Sequence, residues 1–358
     1  MSSTTHDLDQ LANIPRLTQW LDVHLPQLGD GPLQTALLAG GTSNVVLTID
    51  RGQGPMVLRR PPAVPPPGAE RGVLREARVL TALNATDVPH PVCHGVCEDP
   101  DVIGMPFYVM DKVDGWTYGR IDGVGSNHPP FDKMPYAYGV AFAVADGLVR
   151  LANVDYEKVG LAGFGKPENF IERQVDRWAS QLASYRERYG YKGRRLEGYD
   201  EVEAWLRSHQ VNSPRVGVIH GDVGLQNMMF HFGAPARLSA MLDWELSTLG
   251  DPMLDLGWFC VGLFDERFPD IAPAGAAIKP DQSPTRQELA RYYCAGAGRD
   301  IVDFDYFCVL AAFKLGCILE YKVAQAEAGI LSDEVGETFR RAVSDIFRQS
   351  AELIRRIS

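Results

Sequence analysis

Cysteine, basic charge and long apolar runs are all scarce in this 358-residue chain. The six cysteines are scattered, too few and too irregular for a disulfide framework, and read as free thiols of a reducing compartment. Thirty-five basic against 46 acidic residues leave a net charge of −11, which argues against general nucleic-acid binding, since that requires basic faces. The most apolar late stretch, "FCVLAAFKLGCILEY", is short and interrupted by Lys314, so it is expected to be a buried core helix and not a membrane span. The opening "MSSTTHDLDQLANIPRL" has no basic segment leading into an apolar one. No secretory signal is expected, and the expected compartment is cytoplasmic, with no membrane partner.

What is present changes in texture along the chain. "QTALLAGGTSNVVLTID", "PMVLRR" and "FYVMDKV" carry the β-branched and aromatic residues of strands, and "GVLREARVLTALN" has apolar residues at helical spacing. The prolines of "RRPPAVPPPGAERG" forbid regular structure and mark a stiff loop. Beyond about residue 116 long helical patterns dominate, up to the C-terminal "EVGETFRRAVSDIFRQSAELIRRI". The expectation is an α+β chain of two lobes, a small β-rich N-terminal lobe (1–112) and a larger, mainly helical C-terminal lobe (113–358). A cleft between unlike lobes is a usual ligand site.

"VIHGDVGLQNMMF" puts Asp222 just after an apolar run and Asn227 five positions later, and "SAMLDWE" ends another such run with Asp243. Asp and Asn disfavour strands and need partners when buried. Three oxygen-bearing side chains at strand ends suit a hard cation such as Mg²⁺, and one carboxylate can orient a hydroxyl for phosphoryl transfer. The plainer reading is two strands capped by turn-forming residues. "AGGTSNVV", Ala39 to Val46, offers either a backbone cradle for phosphate or an ordinary hairpin turn. Arg59 at a strand end and Glu76 on the next helix form either an ion pair at a nucleotide phosphate or two surface charges. Arg173 and Arg177 stand one helical turn apart, with Trp178 beside them. They could grip a carboxylate or phosphate, or belong to an amphipathic helix with Trp178 in the core. His90, Cys93, His94 and Cys97 are zinc-ligand types, but their spacing and the neighbouring prolines favour a strand.

Taken in order, "GGTSNVV", "VLRRPP", "PFYVMDKVDG", "HGDVGLQN" and "LDWELSTLGDPMLDLGW" resemble the aminoglycoside phosphotransferase family, which has the protein-kinase-like fold. The resemblance covers nearly the whole chain. It is closest to the kinase-like domain associated with acyl-CoA dehydrogenases and to free-standing bacterial relatives of that domain. It implies an enzyme, an ATP- and Mg²⁺-dependent kinase of a small-molecule hydroxyl. Asp222 would be the catalytic base, and Asn227 and Asp243 the metal ligands. Gly40, Gly41, Thr42, Ser43 and Asn44 would cover the phosphates, and Glu76 would pair with Arg59. The hinge after Met110 would bind adenine through the backbone of Asp111 and Val113. Arg173, Arg177 and Trp178 are candidates for the acceptor, and His220 and Asp255 for scaffolding the loop. Arg59 departs from the lysine usual in kinases, and the two are not interchangeable. That departure sustains one alternative, a non-catalytic nucleotide-binding regulatory module.

Overall fold

Along Val45–Asp50, Leu47 and Ile49 are fully buried while Val46, Thr48 and Asp50 are only partly covered, the alternation of a strand with one face on a core. The computed structural model describes residues 11–38, 44–121, 124–209, 211, 214–270 and 280–357. The chain divides into two units, one of Met1–Gly115, Glu157–Leu161 and Ser239–Ser247, the other of Trp116–Tyr156, Ala162–Leu238 and Thr248–Ser358. Residues 239–247, expected with the helical lobe, group with the first unit because the Trp244 amide donates to Glu76 Oε1 and the Met241 amide to the Pro89 carbonyl.

The first unit opens with α1 (Ile14–His24) and is built on β1 (Gln34–Leu37), β2 (Val45–Asp50), β3 (Met56–Arg60), β4 (Cys93–Cys97) and β5 (Phe107–Asp111). The sheet order is β1-β2-β3-β5-β4, with β1 to β3 and both neighbours of β5 paired antiparallel. Leu17, Trp20 and Leu21 of α1 share one core with Leu47, Leu58, Phe107 and Val109 of the sheet. The β4 register slips between Cys93 and Gly95, and a Cβ at Gly95 would lie 3.0 Å from the Trp20 ring, so the glycine lets α1 approach. Helix α2 (Ala69–Leu83) follows the proline-rich loop, and its buried face includes Val73, Ala77, Leu80 and one charged residue, Glu76. A single-turn helix α3 (Pro100–Ile103), N-capped by Asp99, precedes β5.

The second unit begins with β6 (Trp116–Thr117), β7 (Gly119–Ile121) and β8 (Val124–Ser126), then α4 (Tyr138–Ala152), α5 (Phe170–Tyr189) and α6 (Tyr199–Ser208). Strand β9 (Gly217–Ile219) precedes the loop of interest, and β10 (Met228–Phe230) follows it and pairs with β6. β11 (Leu238–Met241), which from Ser239 onward belongs to the first unit, runs up to Asp243. β12 (Thr248–Gly250) pairs antiparallel with β9, Ile219 opposite Thr248 and Gly217 opposite Gly250. α7 (Met253–Cys260), α8 (Arg286–Ala297), α9 (Phe304–Glu327) and α10 (Asp333–Ile357) complete it. α9 is covered by α10, α7 and α5, which is why it can be apolar on nearly every side. Among the described residues no helix is long and apolar enough to cross a membrane. All six cysteines are buried and free. His90, Cys93, His94 and Cys97 lie in or beside β4, where the His94 ring contacts Asp111 Oδ1 at 2.7 Å. Among the described residues no group of three or more His, Cys, Asp or Glu is arranged to hold a metal.

Candidate active site

In the second unit the loop after β9 is fixed by its own backbone. The buried strand delivers His220 to a fully enclosed position. Asp255, near the start of α7 and 2% exposed, takes both of the next donors: the His220 amide donates to its Oδ2 at 2.6 Å and the Gly221 amide to its Oδ1 at 2.9 Å. Gly221 sits at φ +86°, a conformation that glycine adopts without strain. The Asp222 amide then donates to His220 Nδ1 at 3.3 Å. Asn227 closes a 3-10 turn (Leu225–Asn227), and its Nδ2 donates to Asp222 Oδ2 at 2.9 Å and to the Asp222 carbonyl at 3.0 Å. That orientation spends the amide nitrogen on Asp222 and leaves Oδ1, the oxygen a hard cation prefers, for another ligand.

Two residues that the sequence reading did not assign to a site complete this environment. Lys314 of α9, only 6% exposed, donates to the Gly221 carbonyl at 2.7 Å. Its ammonium lies 4.0 Å from the centre of the Trp258 ring and 5.3 Å from that of Trp178. The signal available in the sequence was the lysine itself, interrupting the apolar stretch "FCVLAAFKLGCIL": a buried ammonium requires partners.

The first unit brings Arg59, Glu76 and Asp243 together. Arg59 Nε and Glu76 Oε2 lie 2.9 Å apart, an ion pair by distance although the N–H is not aligned as a hydrogen bond. Arg59 Nη2 donates to Asp243 Oδ1 at 2.9 Å, and Glu245 stands 3.9 Å away. Burial pushes the Glu76 carboxyl up to about 7 against the pull of Arg59, while Asp243 pushes it the same way as burial. Arg59 is held charged, because the carboxylates around it outweigh the cost of its own burial. Asp243 sits at φ 64°, a left-handed backbone that is strained for any residue but glycine and concentrates at functional sites.

Gly40, Gly41, Thr42 and Ser43 lie outside the described residues, and Asn44 directly precedes β2. Met110 and Asp111 end β5, but the Asp111 amide donates to the Val92 carbonyl at 3.0 Å, so that donor is spent on the protein and not on a ligand. Val113 follows, half-buried, after the strand. Trp178 is buried, with Arg177 stacked at 4.8 Å and Lys314 near its ring, so the face expected to stack on a ligand is already covered. Arg173 is turned to the carbonyls of Lys166 and Glu168. Arg177 lines a cavity of about 520 Å³ with Lys166, Arg173, Gln174, Ser180 and Thr248.

A model of the phosphotransferase enzyme family matches residues 34–300. Acyl-CoA dehydrogenase family member 10 of Mus musculus is 30% identical over 297 residues, 81% of this chain and 26% of that protein. Acyl-CoA dehydrogenase family member 11 of Gallus gallus is 28% identical over 343 residues, 93% of this chain and 42% of that protein. The chain thus spans less than half the length of these curated relatives. A solved structure from Ralstonia eutropha, provisionally named an aminoglycoside phosphotransferase, superposes with a TM-score of 0.74 at 28% identity, over 94% of this chain and 98% of that one. A small antiparallel sheet unit, a helical unit and a family match over most of its length place the chain in the phosphotransferase enzyme (APH) family.

Proposed function

We propose that the chain transfers the γ-phosphoryl group of MgATP to a hydroxyl of a small anionic metabolite. The observation that carries this reading is the Asp222–Asn227 pair, fixed by Asp255, His220 and Lys314 with far more polar contacts than a turn requires. Asp222 orients the acceptor hydroxyl and takes its proton as the oxygen bonds to the γ-phosphorus and the bond to the ADP oxygen breaks. Asn227, through Oδ1, and Asp243 would hold Mg²⁺. Two protein oxygens suffice, because this ion completes its shell with phosphate oxygens and water. When bound, the metal neutralises phosphate charge. Arg59, held by Glu76, is the strand cation of the nucleotide side. Gly40 to Asn44 would cover the phosphates, and the backbone after Met110, with Val113 and not the Asp111 amide as donor, would receive the base.

The acceptor reading rests on the 520 Å³ cavity. Arg177 and Lys166 line it, and the acid among its lining residues, Asp176, is already paired with Arg207 at 2.7 Å. Burial pulls the Arg177 guanidinium down, the mark of a cation short of water. Such a cavity suits a carboxylate or phosphate on the acceptor. With relatives named acyl-CoA dehydrogenase family members, a hydroxyacyl acid or thioester is the first choice. An aminoglycoside is the second, favoured by the name of the Ralstonia eutropha structure and by the net charge of −11.

The test is ³¹P NMR of the protein with MgATP and separate pools of hydroxyacyl compounds and aminoglycosides. A phosphomonoester should appear in the hydroxyacyl pool. Asp222→Asn should lower turnover by roughly 10²–10⁴, the worth of a positioned base, without loss of nucleotide binding. Unchanged turnover in that variant removes Asp222 from the mechanism. Nucleotide binding with silence in every pool favours the regulatory module.

A further inference from the structure

We infer that Lys314 is a positioning residue of the catalytic loop, holding the Gly221–Asp222 peptide plane from which the Asp222 carboxylate projects. An ammonium buried within the apolar stretch of α9 loses its water, and a leucine would fill the same space without that loss. Its position is explained by what it holds. The carbonyl of the Gly221–Asp222 peptide accepts from Lys314 Nζ at 2.7 Å, and the amide of the same peptide donates to His220 Nδ1 at 3.3 Å. The preceding peptide is fixed by Asp255. Gly221, at φ +86°, is the joint between the two planes. Without the Lys314 contact one end of the second plane is released, and the Asp222 side chain swings with it.

The surroundings keep the lysine in place. The faces of Trp258 and Trp178 replace its hydration with cation–π attraction. The charged groups facing it are Asp255 from α7, Asp222 from the loop and Arg177 from α5, two attractive and one repulsive. Burial prevails over the two carboxylates and pulls the ammonium down to about 8. The charged donor is therefore present below about pH 8 and is lost as pH rises through that value, so the hold on Gly221 weakens on the alkaline side.

The kinetic consequence rests on the role proposed for Asp222, but the structural one does not. Hydrogen exchange of the segment 218–230, read by mass spectrometry, tests the contact whether or not the protein transfers phosphate. Lys314→Met should speed exchange at Gly221 and Asp222 by about tenfold or more, as for a locally opened segment, with α10 still protected. Lys314→Arg should restore protection. Turnover should fall on the order of 10² in Lys314→Met, as for a catalytic group misplaced by about 1 Å. The KM for MgATP should hold, and in Lys314→Arg the loss of kcat above pH 8 should move to higher pH. If Lys314→Met loses its melting transition, Lys314→Gln takes its place. Loop exchange equal to wild type in a folded neutral variant overturns the proposal. If wild type and Asp222→Asn turn over equally, the phosphotransfer reading fails, while the exchange result still decides the role of Lys314.

Discussion

Asp255 illustrates how much a single buried group contributes at this site. Burial pushes its carboxyl up to about 6; the amides of Gly221 and His220 and the charge of Lys314 pull it down, and Asp222 pushes it up. An unfolded aspartate titrates near 3.9, so between roughly pH 4 and pH 6 the folded state binds the proton more tightly. The contribution of Asp255 to stability is fully present below pH 4 and is lost as pH rises through about 6. The Asn variant leaves one backbone N–H facing its amide group and is less stable throughout, but it lacks this dependence. Urea denaturation at stepped pH should show the wild-type advantage over Asp255→Asn shrinking by about 2–3 kcal/mol across that window, because each tenfold difference in proton affinity between the folded and unfolded states is worth about 1.4 kcal/mol. Parallel curves would show that Asp255 does not titrate there. Asp222 and Asn227 drew attention in the sequence because polar residues at the ends of apolar runs need a reason to be there, whereas His220 and Asp255 were singled out only through the family resemblance. Lys314 and Trp258 were not, because only the packing of α9 on α7 brings them to a loop far away in sequence. The burial of Trp178 was open for a related reason: helical spacing does not say which face of α5 meets the core.

At the scale of elements, the separation of α7 and α9 sets where Asp255 and Lys314 meet. A Cβ on Gly257 of α7 would lie 2.6 Å from the carbonyl oxygen of Phe307 and 2.7 Å from its carbon, both backbone atoms of α9. Backbone cannot turn aside as a side chain can, so Gly257→Ala must push the helices apart. A helical alanine gains up to about 1 kcal/mol over glycine, while overpacking a core costs about 1–3 kcal/mol. The variant should be less stable by roughly 1–2 kcal/mol in thermal unfolding and should lose kcat, because Trp258 and Asp255 move away from Lys314. Gain of stability with full activity would show that the contact yields without cost. The helices themselves were legible: α4, α5, α8 and α10 fall on the long patterns, and "FYVMD" forms β5. The sheet order was not, since period-2 alternation fixes a strand's faces and says nothing of its neighbours. Nor was the grouping of residues 239–247 with the sheet unit, which follows from the hydrogen bond between Glu76 and the Trp244 amide.

For the molecule as a whole, ligand binding supplies stability by mass action and so reports the proposed metal donors without any acceptor. A ligand that binds only the folded state adds about 2.7 kcal/mol at a hundred times its Kd. MgATP at that excess should raise the calorimetric midpoint by several degrees, and ATP with EDTA by less. The difference between the two is the share carried by the cation. Asn227 keeps its Nδ2 on Asp222, and Asp243 is held by Arg59. Asn227→Ala and Asp243→Ala should each remove most of the Mg²⁺ increment and leave much of the shift with ATP and EDTA. Asp222→Asn should keep the increment, because the base is needed for the proton and not for the metal. That pattern separates metal loss from loss of the base in proteins that are equally inactive. An undiminished increment in both alanine variants would place the cation on other groups.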